Sequence, residues 1–448
     1  MKNNTVTRRE FIQTTAAGTA LAGSVGIPSI VTGQASKGTL AITGGKPVRT
    51  TPFPGWPVVK ENDEKAWLAV LHEGKWCRLG APYADKFEEV YAKHLGAKYC
   101  VATASGTTAL QCSLNALDVG PGDEVLVSPY TFCATVNVIL LQYALPIFVD
   151  SDPETLQVNA DLLEQHITEK TRCILPVHLG GNPANLDKII EVGKKHKIPI
   201  LEDACQAHTG EWRGKRVSTI GDLGCFSFQA SKNLNSGEGG AILSNDEKLI
   251  DRCFAFHNNG RGRRGAGYSY PLNGTNARMT EFQAALILQQ FTRWEEQSKI
   301  REQNAEYLTK MLKEIPGIMP AKQYAGTTRN GYHLYMFRYD KAQFKNAPRS
   351  QFLKALEAEG IPCAGGYTPL NKESFIKNTL SSRAYQNVYS KERLEKYHKE
   401  NNCPANDKLC DEAVWFFQTM LLGPKEDMEQ IAAAVKKIQA NSEQLAKA

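Results

Sequence analysis

Gly221-Asp-Leu-Gly-Cys-Phe-Ser-Phe-Gln-Ala-Ser-Lys-Asn-Leu-Asn-Ser-Gly-Glu-Gly-Gly240 sets a single lysine, Lys232, between a short apolar strand and a glycine-rich loop. A lysine becomes a Schiff-base nucleophile when desolvation or a neighbouring cation lowers its pKa. Upstream, Ile198-Pro-Ile-Leu-Glu-Asp203 is an apolar strand that closes on an acid and runs on through Ala204-Cys-Gln206-Ala-His208. At the carboxyl end of a parallel strand an acid faces the ligand crevice. A carboxylate there keeps a pyridine nitrogen protonated, as the electron-sink chemistry of pyridoxal phosphate requires. Further upstream, Thr103-Ala-Ser-Gly-Thr-Thr-Ala-Leu-Gln111 turns a strand into a helix through small residues. Small side chains let the first backbone N–H groups of the helix meet a phosphate, helped by the helix dipole. Each signal is weak alone. Phosphate turn, acid-terminated strand and lysine, in that chain order, are much stronger together.

Around this stretch, residues 61 to about 250 alternate helical patterns with short apolar runs. Examples are Glu124-Val-Leu-Val127, Pro146-Ile-Phe-Val-Asp150 and Arg172-Cys-Ile-Leu-Pro-Val177. Such alternation predicts a mostly parallel sheet covered by helices. A long helix is predicted from Thr280 to about Leu312. The remainder reads as a strand (332–339), a helix (349–359), a loop, a helix (410–421) and a helix (425–439). The expected organisation is therefore an N-terminal segment (1–36), an irregular Gly/Pro/Trp arm (37–60), a large α/β domain (61–312) and a smaller C-terminal α/β domain (313–448).

The 448 residues are 42% apolar and 22% charged, an ordinary globular mix that excludes wholesale disorder and a polytopic membrane protein. A net charge of +6, spread along the chain, is no nucleic-acid footprint. Eleven scattered cysteines show no CxxC pair and no zinc spacing, so neither a disulfide framework nor a metal site is expected. Cys403 and Cys410 are near enough in sequence to raise the question of one bridge. At the N-terminus, Arg8-Arg9-Glu10-Phe11 and the weakly apolar run 14–31 resemble a twin-arginine export signal. The run is too broken by Gly, Thr and Ser for a stable membrane span. Export to the periplasm is the expectation, and a plain arm on a cytoplasmic protein is the alternative.

From about Leu40 to Lys437 the chain resembles the DegT/DnrJ/EryC1/StrS family of sugar and cyclitol aminotransferases. It is nearest to the branches acting on scyllo-inosose-type ketones and on amino-hydroxybenzoate precursors. The likeness rests on the motifs above, with Leu40-Ala-Ile-Thr-Gly-Gly-Lys-Pro47, Trp56-Pro57 and Ala358-Glu-Gly-Ile-Pro-Cys-Ala-Gly-Gly-Tyr-Thr-Pro-Leu370. It implies fold type I of the pyridoxal-phosphate enzymes: a large domain with a mainly parallel seven-stranded sheet plus a smaller α/β domain. It also implies transfer of an amino group from glutamine or glutamate to a keto-sugar or keto-cyclitol.

Carried over position by position, Lys232 is the Schiff-base lysine, Asp203 pairs with the pyridine nitrogen and Gln206 lies at the ring hydroxyl. Thr107, Thr108 and Ser227 hold the phosphate, and Phe132 stacks on the ring. Asn276 reaches the phosphate of the partner subunit in a homodimer. His333, Tyr367 and Lys372 are candidate substrate contacts. His178 is read as organising its loop, and Arg261-Gly-Arg-Arg264 as either an anion site or a solvated face. A family subset with His in place of the lysine dehydrates instead, so Lys232 favours transamination. Dehydration or epimerisation at the same site, or a non-catalytic cofactor-binding sensor or envelope protein, are the rival readings.

Overall fold

Seven strands form the central sheet: β1 (Tyr99–Thr103), β2 (Glu124–Val127), β3 (Leu145–Phe148), β4 (Thr171–Leu175), β5 (Leu201–Asp203), β6 (Leu223–Ser227) and β7 (Gly240–Ser244). The computed structural model that shows them describes residues 38–263 and 269–447. The paired arginines and the apolar run of the N-terminal segment, and Arg264 of the basic loop, lie outside the described residues. Hydrogen-bonded ladders give the orders β1-β7-β6-β5 and β3-β2-β4. Parallel bridges Ile174↔Ile200 and Val177↔Asp203 join the two groups side by side, so the full order is β1-β7-β6-β5-β4-β2-β3. β7 alone runs antiparallel to its neighbours. The sheet is therefore mainly parallel and seven-stranded, as the resemblance implies.

β2, β3 and β6 are buried at every residue, so helices cover the sheet on both faces. That is why these strands read as unbroken apolar runs instead of alternating patterns. Because the six parallel strands point one way, their carboxyl ends share one edge with the start of β7. Asp203, Ser227, Gly240 and the turn after Thr103 all fall there.

A second, three-stranded antiparallel sheet runs β8 (Ile318–Pro320), β9 (Leu334–Tyr339) and β10 (Ala413–Phe417) in the order β8-β9-β10. Its core joins Phe337 and Phe416 to Leu308, Phe352 and Met428 of the covering helices. The long helix is Glu281–Leu312, capped by the Thr280 side chain accepting from the Gln283 N–H.

Two expectations change. Residues 410–421 are not one helix. A helix Pro404–Glu412 ends and the chain enters β10. Ala413-Val-Trp-Phe-Phe417 has no decisive period, and five paired positions along β9 settle it as a strand. The stretch read as a loop holds three short helices, Ser374–Leu380, Arg383–Val388 and Lys391–Glu400. These pack against the central sheet's core through Ile376, Leu380, Tyr385 and Tyr397, so the C-terminal third serves both cores. The phenol of Tyr385 donates to Leu140 O (3.0 Å) and Ala144 O (2.9 Å), and that of Tyr397 to Pro146 O (2.9 Å). Tyrosines that anchor through both ring and hydroxyl hide an apolar face from a hydropathy reading. Cys403 and Cys410 are buried free thiols, and so are unbridged like the other nine.

The arm is fixed by buried charge. Glu359 accepts from the Ala41 N–H (2.9 Å) and the Val48 N–H (3.0 Å) and pairs with Lys437 (2.8 Å). Arg49 pairs with Asp427 (2.6 Å), and Arg293 donates to Val58 O (2.8 Å). Held at both ends, the arm presents Trp56 to the edge where the parallel strands finish.

Candidate active site

A cavity of about 740 Å³ opens at that edge. Its floor is Asp203. The Thr135 hydroxyl donates to Asp203 Oδ2 at 2.8 Å and the Cys205 N–H to Oδ1 at 3.1 Å, so both oxygens are oriented. Thr135 comes from the helix Cys133–Leu141, whose N-cap is Phe132. The Phe132 ring lines the cavity yet remains 54% exposed, with a face free for a planar ligand.

Opposite the floor stands Lys232. Burial pushes its ammonium below the ordinary lysine value, while the carboxylate of Asp203 pulls the other way. The net shift favours the neutral amine, the form that attacks a carbonyl. The Lys232 Nζ lies 3.5 Å from His333 Nε2. Asn233 decides what that imidazole offers. Its Nδ2 donates to Gly331 O at 2.7 Å, so its Oδ1 must face His333 Nδ1, at 3.2 Å. The proton therefore sits on Nδ1 and a lone pair on Nε2 faces the lysine. Burial and the Lys232 charge hold His333 well below its ordinary pKa, so the ring is neutral.

The N-terminus of the helix Gly106–Ala116 opens into the same cavity, with Ser105, Gly106, Thr107 and Ser227 in its wall. Gly106 is required there. A Cβ on it would lie 2.6 Å from the Ser227 Cβ and 2.9 Å from the Cys205 Sγ. Backbone approach this close leaves a cradle of N–H groups at the positive end of a helix, suited to a phosphate. A phosphate cradle, an oriented carboxylate for a pyridine N–H and a desolvated amine are the donor set that pyridoxal phosphate needs. The residues fit that group.

Gln206 accepts from the Gly180 N–H (2.8 Å) and donates to the Tyr367 hydroxyl (3.0 Å). The phenol proton of Tyr367 is left for the cavity, and burial pushes its pKa up to about 12. The structure thus gathers Lys232, Asp203, Gln206, Thr107, Ser227, Phe132, His333 and Tyr367 at one cavity. It places three candidates elsewhere. Thr108 spends its hydroxyl and N–H on a capping box with Ser105, which frees the Thr107 side chain to face the cavity. Lys372 lies outside the cavity and pairs with Asp407 at 2.6 Å. Asn276 is exposed on the surface, away from the lining.

His178 accepts from the Ala184 N–H (3.0 Å) and so donates through Nε2 to Glu202 (3.0 Å), which is the loop-organising role. Arg263 of the basic loop is taken by Glu247 and Asp251. The sequence reading missed Thr135, Asn233 and Gln418. Thr135 is 68 residues from the carboxylate it orients, and no local spacing marks such a pair.

Residues 57–436 match the DegT/DnrJ/EryC1/StrS aminotransferase family. The chain belongs to that family. It is a pyridoxal-phosphate-dependent aminotransferase of fold type I. It is 34% identical over 417 residues to the L-glutamine:2-deoxy-scyllo-inosose aminotransferase of Streptoalloteichus tenebrarius, covering 89% of this chain and 97% of that one. Likeness to the enzyme of that name from Streptomyces fradiae is also 34%, over 423 residues, covering 91% of this chain and 99% of its relative. Among solved structures, 3-amino-5-hydroxybenzoic acid synthase superposes with a TM-score of 0.76 at 27% identity, covering 88% of this aminotransferase and 100% of that chain.

A carboxylate at Asp203 would keep the nitrogen of a bound pyridine ring charged, and a neutral amide could not do so. Asp203→Asn is expected to lower kcat about 10²–10³-fold, the range for lost electrostatic stabilisation. The melting temperature should stay near that of the parent, because the Cys205 N–H still finds the amide oxygen and the Thr135 hydroxyl can turn to accept from the amide NH2. A variant within about twofold of the parent rate would refute the role.

Proposed function

We propose that this aminotransferase moves the amino group of glutamine or glutamate onto the keto carbon of a cyclitol of the scyllo-inosose type. The observation that carries the acceptor reading is the cavity wall. Gln229, Ser231, Gln418 and Tyr367 offer uncharged hydrogen-bonding groups, and Trp415 and Phe417 offer aromatic faces. Hydroxyl groups on a small ring find partners among the first, and its C–H faces pack on the second. The relatives that aminate 2-deoxy-scyllo-inosose with L-glutamine point the same way.

Bound pyridoxal phosphate supplies an electron sink that stabilises negative charge at the donor Cα. The protein does the rest. Ser105, Gly106, Thr107 and Ser227 hold the phosphate, and Asp203 keeps the ring nitrogen protonated. Lys232, as a free amine, would take the proton from the donor Cα as a general base and pass it, as a general acid, to the C4′ carbon of the cofactor. His333 Nε2 accepts an N–H of that amine, so the amine lone pair is left to point at the donor. Dehydration and epimerisation are the alternative outcomes of the same proton removal.

The test supplies L-glutamine and a panel of keto-inositols and keto-sugars to the holoenzyme and identifies the amino product. Appearance of an amino-cyclitol, and its loss in Lys232→Ala, is the expected result. Elimination products or a C2 epimer without amine transfer would overturn the reading.

The working unit in this proposal is a homodimer. Trp67, Leu68, Leu71, Trp76 and Leu79 form an exposed apolar surface, and Asn276 is exposed outside its own cavity. Neither the Asn276→Ala chain nor the Lys232→Ala chain should be active alone. Mixing the two should restore activity in about a quarter of the sites if subunits exchange at random. A fully active monomer at assay concentration would end the idea.

The twin-arginine resemblance supports a further proposal, export of the folded holoenzyme. Fractionation of the native chain and of Arg8→Lys/Arg9→Lys tests it. Only the native chain should reach the periplasm. Equal retention of both in the cytoplasm would refute it.

A further inference from the structure

Arg301 sits in the middle of the long helix Glu281–Leu312 and is entirely buried. An arginine inside a protein is ordinarily paired with a carboxylate, because an uncompensated buried charge costs several kcal/mol. Arg301 has no such partner among the described residues. Its Nε donates to Gln418 Oε1 at 2.8 Å, and neither Nη1 nor Nη2 has a hydrogen-bond acceptor. The Trp56 ring lies 5.1 Å from the guanidinium carbon. Burial without compensation pushes the group down to about 9. The fold thus keeps a positive charge and leaves it unneutralised.

The place of this charge is informative. Gln418 and Trp56 both line the active-site cavity, so Arg301 lies directly behind its wall. Its charge reaches His333, the residue against Lys232. Gln418 is oriented by it without ambiguity. A guanidinium only donates, so the amide oxygen must face Arg301 and the amide nitrogen must face away. That nitrogen makes one long contact, 3.4 Å, to Ser231 O, next to Lys232 in the chain. One N–H of Gln418 is left over at the cavity wall, with a buried cation behind it.

We propose that Arg301 and Gln418 form the seat of the amino donor's α-carboxylate. The Gln418 amide N–H touches the carboxylate, and Arg301 supplies the balancing charge from behind. This rests on the aminotransferase reading above and deepens it. A donor α-carboxylate is one bond from the Cα that yields its proton to Lys232, so its seat must adjoin the lysine, as Gln418 does through Ser231. The keto-cyclitol brings no carboxylate, so a single cavity serves both substrates with a cation that only one of them engages. Placing the charge one layer back has a physical use. A guanidinium exposed in the wall would attract any anion, whereas one behind an amide acts only on a ligand that first satisfies the amide's geometry.

The test compares two donors in the holoenzyme, L-glutamine and L-glutaminamide, which differ only in replacing the α-carboxylate by a carboxamide. Apparent Kd values come from titration of the cofactor's absorbance. In the parent, glutaminamide should bind about 100-fold more weakly, in keeping with the loss of a desolvated charge interaction. Gln418→Glu gives Arg301 the internal carboxylate it lacks. The preference for glutamine should then fall below about threefold, with a melting temperature equal to or above that of the parent. Arg301→Met should abolish the preference in the same way. A parent that binds both donors equally, or a Gln418→Glu variant that keeps its preference, overturns the proposal. A purely structural Arg301 would weaken both donors together and leave the ratio intact, which also overturns it. The acceptor reading stands or falls separately: donor discrimination without any amino-cyclitol product removes the cyclitol and leaves the carboxylate seat.

Discussion

Three backbone hydrogen bonds carry the architecture: Ile174 N–H to Pro199 O at 3.0 Å, Asp203 N–H to Pro176 O at 2.9 Å, and His178 N–H to Asp203 O at 3.0 Å. They stitch β5 to the end of β4 and so turn two strand groups into one seven-stranded sheet. They also fix the backbone of the residue whose side chain forms the cavity floor. A parallel sheet cannot place one carboxyl end without placing them all. The phosphate turn after β1, Ser227 at the end of β6 and the loop carrying Lys232 therefore converge once this seam closes. His178, which donates one of these bonds, has its ring locked between the Ala184 N–H and Glu202, so the seam is braced from inside.

The electrostatics follow from depth. The amine of Lys232 is brought to reactivity by removal from water, and the neutral His333 beside it adds no repulsion. The His333 tautomer is set two bonds away by Asn233 and Gly331, a chain of hydrogen bonds in which each partner leaves the next no choice. Asp203 is handled in the opposite manner. It receives two donors and stays equipped to bear charge. One cavity thus holds an amine removed from water and a carboxylate oriented by two donors, the pairing that proton transfer beside an electron sink requires.

The C-terminal third and the N-terminal arm close this edge from above. Tyr367 and Gln418 arrive from the segments flanking β10, and Trp56 from an arm that is pinned by Glu359, Arg49 and Arg293. The Trp56 indole donates to Ala230 O at 2.9 Å, two residues before Lys232. Chain segments more than 350 residues apart thereby meet over the lysine.

The sequence by itself determined the parts whose signal is local. Apolar runs ending in Asp203 and Ser227, the small-residue turn at Ser105-Gly-Thr107 and the lysine before a glycine-rich loop each state their own structure, because period and turn chemistry act over a few residues. Those segments sufficed for the sheet, the cofactor and most of the site. What only the tertiary structure decided was long-range. Val414 to Phe417 became a strand because β9 lay alongside, and three short helices formed because a core edge was there to receive Ile376, Tyr385 and Tyr397. The hydroxyl of Thr108 is engaged by Ser105, and the ammonium of Lys372 by Asp407, a pairing that no local pattern announces. The unpaired charge of Arg301 is the clearest case. An arginine in a polar helix reads as solvated, and nothing but packing on every side makes it a buried cation without a counter-ion. Burial belongs to the whole fold, and no stretch of sequence contains it.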